Sequence, residues 1–241
     1  MIKRHTAVLI IHGIAGGTYD EELFAIDCEM EHNFDVFMFT LPGHDVRSFK
    51  HSKKEEWLKA SEDKLKYLID NGYKKVYLFG HSMGGVIACY LAGKYKQVKK
   101  VVLCAPASDH IEKEAGSLYK TLLQAPSIIS AYSVDEFATR LTKLPISGLK
   151  EFTKLVDTYQ YAYKDLTVPT MIVHGSKDQL VPIKSTREIF KELNTEHKVY
   201  LTVKGYYHDL FKGNKVHAIN KEIIKFLKEK PYKIKEEKIE L

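Results

Sequence analysis

Short apolar runs alternate along the chain with longer amphipathic stretches. The apolar runs predict six β-strands, at residues 6–12, 34–40, 75–80, 99–105, 169–174 and 198–203. Some of these runs are continuously apolar, from Ala7 to Ile11 for example, which is typical of parallel strands covered on both faces. The amphipathic stretches predict helices near residues 19–31, 53–71, 84–95, 184–193 and 215–229. This alternation predicts βαβ units and therefore an α/β fold with a doubly wound, mostly parallel sheet.

Residues 107–165 interrupt the alternation. They contain no convincing strand pattern, but their spaced apolar residues predict three or four short helices. We therefore expect one core domain, formed by residues 1–106 and 166–241, with residues 107–165 inserted as a small helical cap after the strand that ends near Ala105. Such a cap would cover an active site at the carboxyl ends of the strands, although a packing layer without a role in binding fits the same pattern. The charged tail after Pro231 is expected to fray.

Composition limits the classes of partner. The 241 residues include 37 Lys and Arg against 31 Asp and Glu, which gives a net charge of +6. The two signs are interspersed, and only four of the basic residues are arginine. Arginine supplies most of the bidentate phosphate and base contacts of a nucleic-acid reader. The excess of lysine therefore predicts a solvated surface and no nucleic-acid partner.

Cysteine usage and hydropathy indicate the compartment. Cys28, Cys89 and Cys104 are odd in number and lie in apolar surroundings, which predicts buried, reduced thiols rather than a disulfide framework or a metal site. The apolar run before His12 is too short for a signal peptide, and no run reaches the ~18 apolar residues that a membrane helix needs. We expect a cytoplasmic protein without stable membrane insertion.

A candidate nucleophile lies in the segment Gly80-His81-Ser82-Met83-Gly84. This segment separates an apolar run at residues 76–79 from a helix-like stretch at residues 86–92. A strand, a sharp turn and a helix, with serine at the apex, expose a hydroxyl as a nucleophile. The turn strains Ser82 and crowds the chain around it, and glycine at positions 80 and 84 fits that crowding because it lacks Cβ. The alternative is a glycine-rich turn without chemistry.

A base and an acid follow the serine in the expected chain order. A serine hydroxyl needs a base to take its proton and a carboxylate to orient that base. Asp178 lies just beyond the strand at residues 169–174, and His208 lies on the loop after the strand at residues 198–203. Because the carboxyl ends of parallel strands lie at one edge of a sheet, we expect Ser82, Asp178 and His208 to be catalytic.

Other histidines and acids are less suited to these roles. His174 lies inside an apolar strand, which is typical of a hydrogen-bonded core histidine. His81 flanks Ser82 on a tight turn and must point in a different direction. Asp209 adjoins His208 and could rarely fold back as its partner. Asp109, next to His110 after the strand ending at Ala105, is a further possible acid.

Acyl transfer also needs donors for the oxyanion that forms on the carbonyl oxygen. One donor should be the backbone N–H of Met83, at a helix N-terminus. The other should come from the glycine-rich loop 12–17, with Ile14 N–H as the first choice and Ala15 N–H as the alternative. The loop lacks a Walker lysine and GxGxxG spacing, and the chain has no HExxH or CxxC motif. No cofactor and no metal are therefore expected.

Several motifs in this order resemble the α/β-hydrolase superfamily. They are the loop 12–17, Leu41-Pro42-Gly43-His44, Gly80-His81-Ser82-Met83-Gly84-Gly85, Asp178 with Val181-Pro182, and Gly205-Tyr206-Tyr207-His208. Within that superfamily the chain resembles small bacterial carboxylesterases and monoacylglycerol lipases. The segment Tyr207-His208-Asp209-Leu210-Phe211 is similar to the one around the histidine of monoacylglycerol lipases. The chain departs from the pattern at Asp45, where much of the family has glycine, and it lacks the HGGG loop.

The resemblance implies a Ser82–His208–Asp178 triad, an oxyanion hole of Ile14 and Met83 N–H groups, and a helical cap. Gly13, Ile14, Met83 and Tyr207 are the candidate substrate contacts. The expected activity is hydrolysis of short- to medium-chain acyl esters or monoacylglycerol through an acyl-enzyme on Ser82. The partner is then a small ester with an apolar acyl group, and the oligomeric state stays open. A thioesterase, another acyl or carbon–carbon hydrolase with the same triad, and a catalytically silent binding protein are the alternatives.

Overall fold

A computed structural model describes residues 5–45, 49–108, 140, 143–178, 180–234 and 236–241. Within these residues, seven strands form one sheet in the order β2-β1-β3-β4-β5-β6-β7. The strands are β1 (Thr6–Ile11), β2 (Asp35–Met38), β3 (Lys75–His81), β4 (Val98–Cys104), β5 (Thr170–Gly175), β6 (Lys198–Val203) and β7 (Glu237–Glu240). All six strand pairings are parallel. The predicted doubly wound parallel sheet is confirmed.

Five helices of the described residues lie close to their predicted positions, and a sixth, of 14 residues, lies in the segment predicted as a cap of short helices. They are α1 (Glu22–Met30), α2 (Lys54–Asp70), α3 (Met83–Lys94), α4 (Ile146–Tyr159), α5 (Ile183–Glu192) and α6 (Val216–Lys228). Helix α1 begins three residues later than predicted because residues 17–20 form a turn. In that turn Asp20 N–H donates to Gly17 O at 3.2 Å, and Gly17 N–H donates to the Asp20 carboxylate at 3.1 Å.

Two hydrophobic layers cover the sheet, one on each face. Successive strand residues point to opposite faces, so that neighbours in sequence enter different layers. Leu9 and Leu78 belong to the layer that contains apolar residues of α2, α3, α4 and α5. Val8 and Phe79 belong to the layer formed with α1 and α6. Burial on both faces explains why the central strands read as continuous apolar runs.

The predicted cap lies only partly within the described residues. Residues 109–139 and 141–142, including most of the predicted short helices, lie outside them. The described remainder contains α4 and a 3₁₀ turn, Ala162–Asp165. Helix α4 packs against α2 and α3, and its buried side chains Leu149, Phe152 and Leu155 join the hydrophobic layer on that face. Arg140 is buried as well.

The expectation that the tail after Pro231 frays is wrong. Its last residues form β7, which extends the sheet beside β6, and Leu241 N–H donates to Thr202 O at 2.9 Å. Ile234 is buried, while Ile239 and Leu241 pack against the layer of α1 and α6. The alternation of Ile239 and Leu241 with charged residues is a strand pattern that the high charge density conceals.

The three cysteines are buried, as predicted. Burial raises the pKa of Cys89 to about 12 and that of Cys104 well above its ordinary value. Both thiols therefore stay protonated at neutral pH and are poor nucleophiles. Among the described helices, none is both long enough and apolar enough to cross a bilayer.

Candidate active site

Ser82 occupies the sharp turn between β3 and α3. Its backbone adopts φ 51° and ψ −113°, a conformation that costs an L-residue on the order of 1–3 kcal/mol. Hydrogen bonds on both sides hold the turn in place. Ser82 N–H donates to Cys104 O at 2.8 Å, and Ser82 O accepts the N–H groups of Gly85 at 3.0 Å and Ala107 at 3.2 Å. The predicted strand–turn–helix arrangement, with a strained serine at its apex, is confirmed.

Glycine at positions 80 and 84 is a steric requirement. A Cβ on Gly80 would lie 2.3 Å from Gly84 O, and a Cβ on Gly84 would lie 2.0 Å from Ile11 O. Both distances are far inside van der Waals contact with backbone atoms, which cannot rotate away. The crowding expected from the sequence therefore exists, and it brings the start of α3 directly against the end of β1.

His208 and Asp178 are hydrogen-bonded to each other. His208 Nδ1–H donates to Asp178 Oδ2 at 2.8 Å, and both side chains are buried. The other carboxylate oxygen, Oδ1, accepts the N–H groups of Leu180 and Val181, both at 2.9 Å. Burial alone would raise the pKa of Asp178, but His208, His174 and the Val181 amide hold it below its ordinary value. Asp178 is therefore an ionised, fully oriented acceptor for the imidazole.

The alternative acids and histidines have other partners. Asp209 lies 3.1 Å from Lys212 Nζ, while Asp109 and His110 fall outside the described residues. His174 is a hydrogen-bonded core histidine, as predicted, since its Nε2–H donates to Val181 O at 3.0 Å. Burial lowers the pKa of His174 to about 4, so that it is neutral at pH 7. It supports the loop that carries Asp178, with its Nε2 3.6 Å from Asp178 Oδ2.

The loops that carry Asp178 and His208 are interlocked. A Cβ on Gly175 would lie 2.3 Å from Tyr207 O, so only glycine permits this approach. Lys177 N–H donates to Tyr206 O at 2.8 Å, and Gly205, at φ 84°, donates its N–H to the hydroxyl of Ser176 at 2.9 Å. These contacts fix the relative positions of the acid and the histidine.

The loop after β1 lies alongside Ser82. A Cβ on Gly13 would lie 3.2 Å from Ser82 Cβ and 3.9 Å from Ser82 Oγ. His12 secures this loop, because its Nδ1–H donates to Gly13 O at 2.8 Å and its Nε2 accepts Leu41 N–H at 2.9 Å. Burial lowers the pKa of His12 to about 3, and the neutral tautomer satisfies both bonds. Glycine at position 13 leaves the hydroxyl of Ser82 approachable from this side.

The remaining sequence-predicted contacts lie in the same region of the fold. Ile14 and Met83 are buried, on the loop after β1 and in the first turn of α3. Ala15, the alternative oxyanion donor, has a φ of 55°. Tyr207 is half-buried on the loop that carries His208. Among the described residues, no three His, Cys, Asp or Glu side chains are grouped so as to hold a metal ion.

Three buried charged residues near the loop after β1 were not predicted from the sequence. Arg140 donates to both carboxylate oxygens of Asp20, at 2.7 and 3.1 Å, and its guanidinium lies over the ring of Tyr19. Glu21 is completely buried. Two adjacent acidic residues before a helix look like ordinary N-terminal charges in sequence. Their burial depends on tertiary contacts that no local pattern reports.

Comparison with known proteins identifies the family. Residues 6–127, just over half of the chain, match the family model described as alpha/beta hydrolase fold, and residues 111–215 match the model described as serine aminopeptidase, S33. A carboxylesterase of Bacillus subtilis is 27% identical over 200 residues, covering 80% of each chain. A monoacylglycerol lipase of Mycolicibacterium smegmatis is 25% identical over 155 residues, covering 56% of this chain and 55% of that protein.

A solved structure from work on the metagenome-derived lipolytic enzymes LipS and LipT superposes with a TM-score of 0.76. It is 18% identical, and the match covers 94% of this chain and 95% of that one. At this identity the superposition supports the fold alone. The strand–turn–helix geometry at Ser82 and the sheet topology agree with the family match. The chain belongs to the α/β-hydrolase fold family.

Proposed function

We propose that this chain hydrolyses carboxylic esters through a covalent acyl-enzyme on Ser82. The observation that carries the proposal is the 2.8 Å hydrogen bond between His208 Nδ1 and Asp178 Oδ2, at the sheet edge where the strained Ser82 turn lies. A buried carboxylate that orients an imidazole, at the sheet edge that also carries a strained serine turn, is an arrangement suited to nucleophilic acyl transfer. The similarity to a carboxylesterase and a monoacylglycerol lipase supports ester bonds as the target.

The reaction follows from the roles of the three side chains. Ser82 Oγ attacks the ester carbonyl carbon while His208 Nε2 takes the hydroxyl proton, and Asp178 balances the imidazolium charge. The oxyanion accepts hydrogen bonds from the N–H groups of Ile14 and Met83. The imidazolium then gives its proton to the departing alcohol, which leaves the acyl group on Ser82. A water molecule, deprotonated by His208, attacks the acyl carbon and releases the acid and the free serine.

The substrate class proposed is an uncharged ester with an apolar acyl group, of short to medium chain length or as a monoacylglycerol. Residues 107–165 serve as the cover of the site in this proposal. The buried ion pair between Arg140 and Asp20 supports that role, because it joins this segment to the loop after β1. Gly13 and Tyr207 border the entrance for the ester, from the loops after β1 and β6.

The direct test compares Ser82→Ala with the wild type and with Ser147→Ala, a half-buried serine of α4. We expect Ser82→Ala to lower kcat on p-nitrophenyl esters by at least about 10⁴-fold without changing the melting temperature by more than a few degrees. Ser147→Ala should retain the wild-type rate. Acyl chains of two to twelve carbons, a monoacylglycerol and an acyl-CoA thioester form the substrate series. Retained turnover in Ser82→Ala contradicts the mechanism, and preferential turnover of the thioester contradicts the proposed substrate class.

A further inference from the structure

A second buried acid–histidine pair lies beneath the candidate triad. His81, the residue before Ser82, has its Nδ1 2.9 Å from Glu21 Oε1. Glu21 is completely buried and His81 nearly so. On the other side of the ring, His81 Nε2 lies 3.2 Å from the backbone carbonyl oxygen of His208. The rings of His81 and His208 are 5.2 Å apart between centroids. One side chain therefore contacts the segments of both the nucleophile and the base.

The hydrogen-bond partners fix one proton of the pair and leave a second proton shared between Glu21 and His81. A backbone carbonyl can only accept, so His81 Nε2 must carry a proton and donate it to His208 O. The bond to Glu21 then has two forms that share one proton. Either Nδ1–H of an imidazolium donates to the carboxylate, or the carboxylic acid of Glu21 donates to a neutral ring. The pair is neutral overall in both forms, and the bond to His208 O persists in both.

The electrostatics are consistent with a proton held by the pair. Burial raises the pKa of Glu21 above its ordinary value. Burial alone would lower the pKa of His81, but the hydrogen bond and the charge of Glu21 raise it above its ordinary value. The pair thus keeps its proton across the neutral range, whichever partner carries it.

A stabilising role alone does not explain this pair. Buried ion pairs contribute little net stability, and apolar residues of similar volume often replace them without loss. One neighbour of the pair is apolar, since the ring of Phe211, itself buried, lies 6.2 Å from that of His81. An apolar side chain at position 81 would fill this space but could not bind His208 O.

We infer that Glu21 and His81 are positioning residues that hold the backbone of His208 at a fixed distance from Ser82. The inference rests on the proposed function, because it matters only if His208 exchanges a proton with Ser82. His81 is covalently joined to Ser82, so its bond to His208 O ties the turn after β3 to the loop after β6. Glu21 fixes the rotation of the ring from its place just before α1. Displacement of a reacting group by about 1 Å can lower a rate about 100-fold.

The test is a set of three variants. His81→Asn keeps a donor for Glu21 but is too short to reach His208 O. Glu21→Gln is the matched control, because its amide can donate to Nδ1 while Nε2–H still binds His208 O. The double variant E21M/H81F replaces both polar groups with apolar side chains of similar volume, and it serves if His81→Asn fails to fold. Each is characterised by its melting temperature, by kcat and KM on one p-nitrophenyl ester, and by the rate of fluorophosphonate labelling at Ser82.

We expect kcat of His81→Asn, and of the double variant, to fall by about 10- to 100-fold with KM changed less than about threefold. Glu21→Gln should keep kcat within about threefold. Fluorophosphonate labelling of Ser82 should slow in parallel with kcat. A folded His81→Asn or double variant with wild-type kcat overturns the inference and leaves the proposed function intact. A wild-type chain whose Ser82 takes no label overturns both.

Discussion

Replacing Asp178 with asparagine should disable the histidine by imposing the wrong tautomer. In the folded chain, Asp178 Oδ1 accepts two backbone N–H groups, those of Leu180 and Val181, both at 2.9 Å. An asparagine must turn its oxygen toward these donors, because its NH2 group would face them donor to donor. Its NH2 group then points at His208 Nδ1, which can accept only if the imidazole proton is on Nε2. In that form Nε2 cannot take the proton of Ser82.

The expected loss in kcat/KM is about 10³- to 10⁴-fold, equivalent to about 4–5.5 kcal/mol of transition-state stabilisation. The free energy of unfolding should change little, because the asparagine side chain still makes three hydrogen bonds, to the same three partners. The assay is hydrolysis of p-nitrophenyl butyrate, with a thermal melt of each variant. Asp209→Asn is the matched control, since Asp209 adjoins His208 in sequence but lies 3.1 Å from Lys212. The tautomer argument is refuted if Asp178→Asn keeps more than a tenth of the wild-type activity. It is also refuted if Asp209→Asn loses more activity than Asp178→Asn does.

Two further predictions concern the scaffold. Gly84→Ala places a Cβ 2.0 Å from Ile11 O and should lower the free energy of unfolding by more than about 4 kcal/mol. The control is Gly93→Ala in the same helix, where the nearest atom lies at 3.6 Å and the change should be neutral or stabilising by up to about 1 kcal/mol. Urea titration measures both variants, and equal effects contradict the crowding argument. Burial lowers the pKa of Lys100 to about 8 in the folded chain. Above that pH the unfolded chain binds more protons at this residue than the folded chain does, so the free energy of unfolding must rise with pH. Relative to Lys100→Met, the wild type should gain about 2 kcal/mol between pH 7.5 and 10, and a constant difference contradicts the assignment.

The strands and most helix positions could be predicted because burial on two faces leaves a strong pattern in the sequence. The continuous apolar run of β1 and the amphipathic pattern of α6 each report their environment directly. The Ser82 turn was predictable for a different reason, since only glycine fits at positions 80 and 84 and few other turns need that spacing. Local steric rules therefore identify the nucleophile candidate from the sequence, without any tertiary contact.

The features that escaped prediction depend on contacts between distant segments. Strand β7 forms only by pairing with the edge of β6. The high charge of this segment hides the alternation of Ile239 and Leu241 with charged residues. Glu21 is an ordinary acidic residue before a helix until the fold brings His81 against it, 60 positions away. Arg140 likewise meets Asp20 across 120 positions. No local pattern contains such information, because the partner and the burial arise only in the folded chain.

Covalent labelling of the folded protein locates the nucleophile. The chain is treated with a fluorophosphonate, digested, and analysed by mass spectrometry, with Ser82→Ala and heat-denatured wild type as controls. We expect one phosphonyl group on the peptide that carries Ser82, and none in either control. A label on any other residue, or a wild-type chain that remains unlabelled while folded, contradicts the proposal that Asp178 and His208 activate this serine.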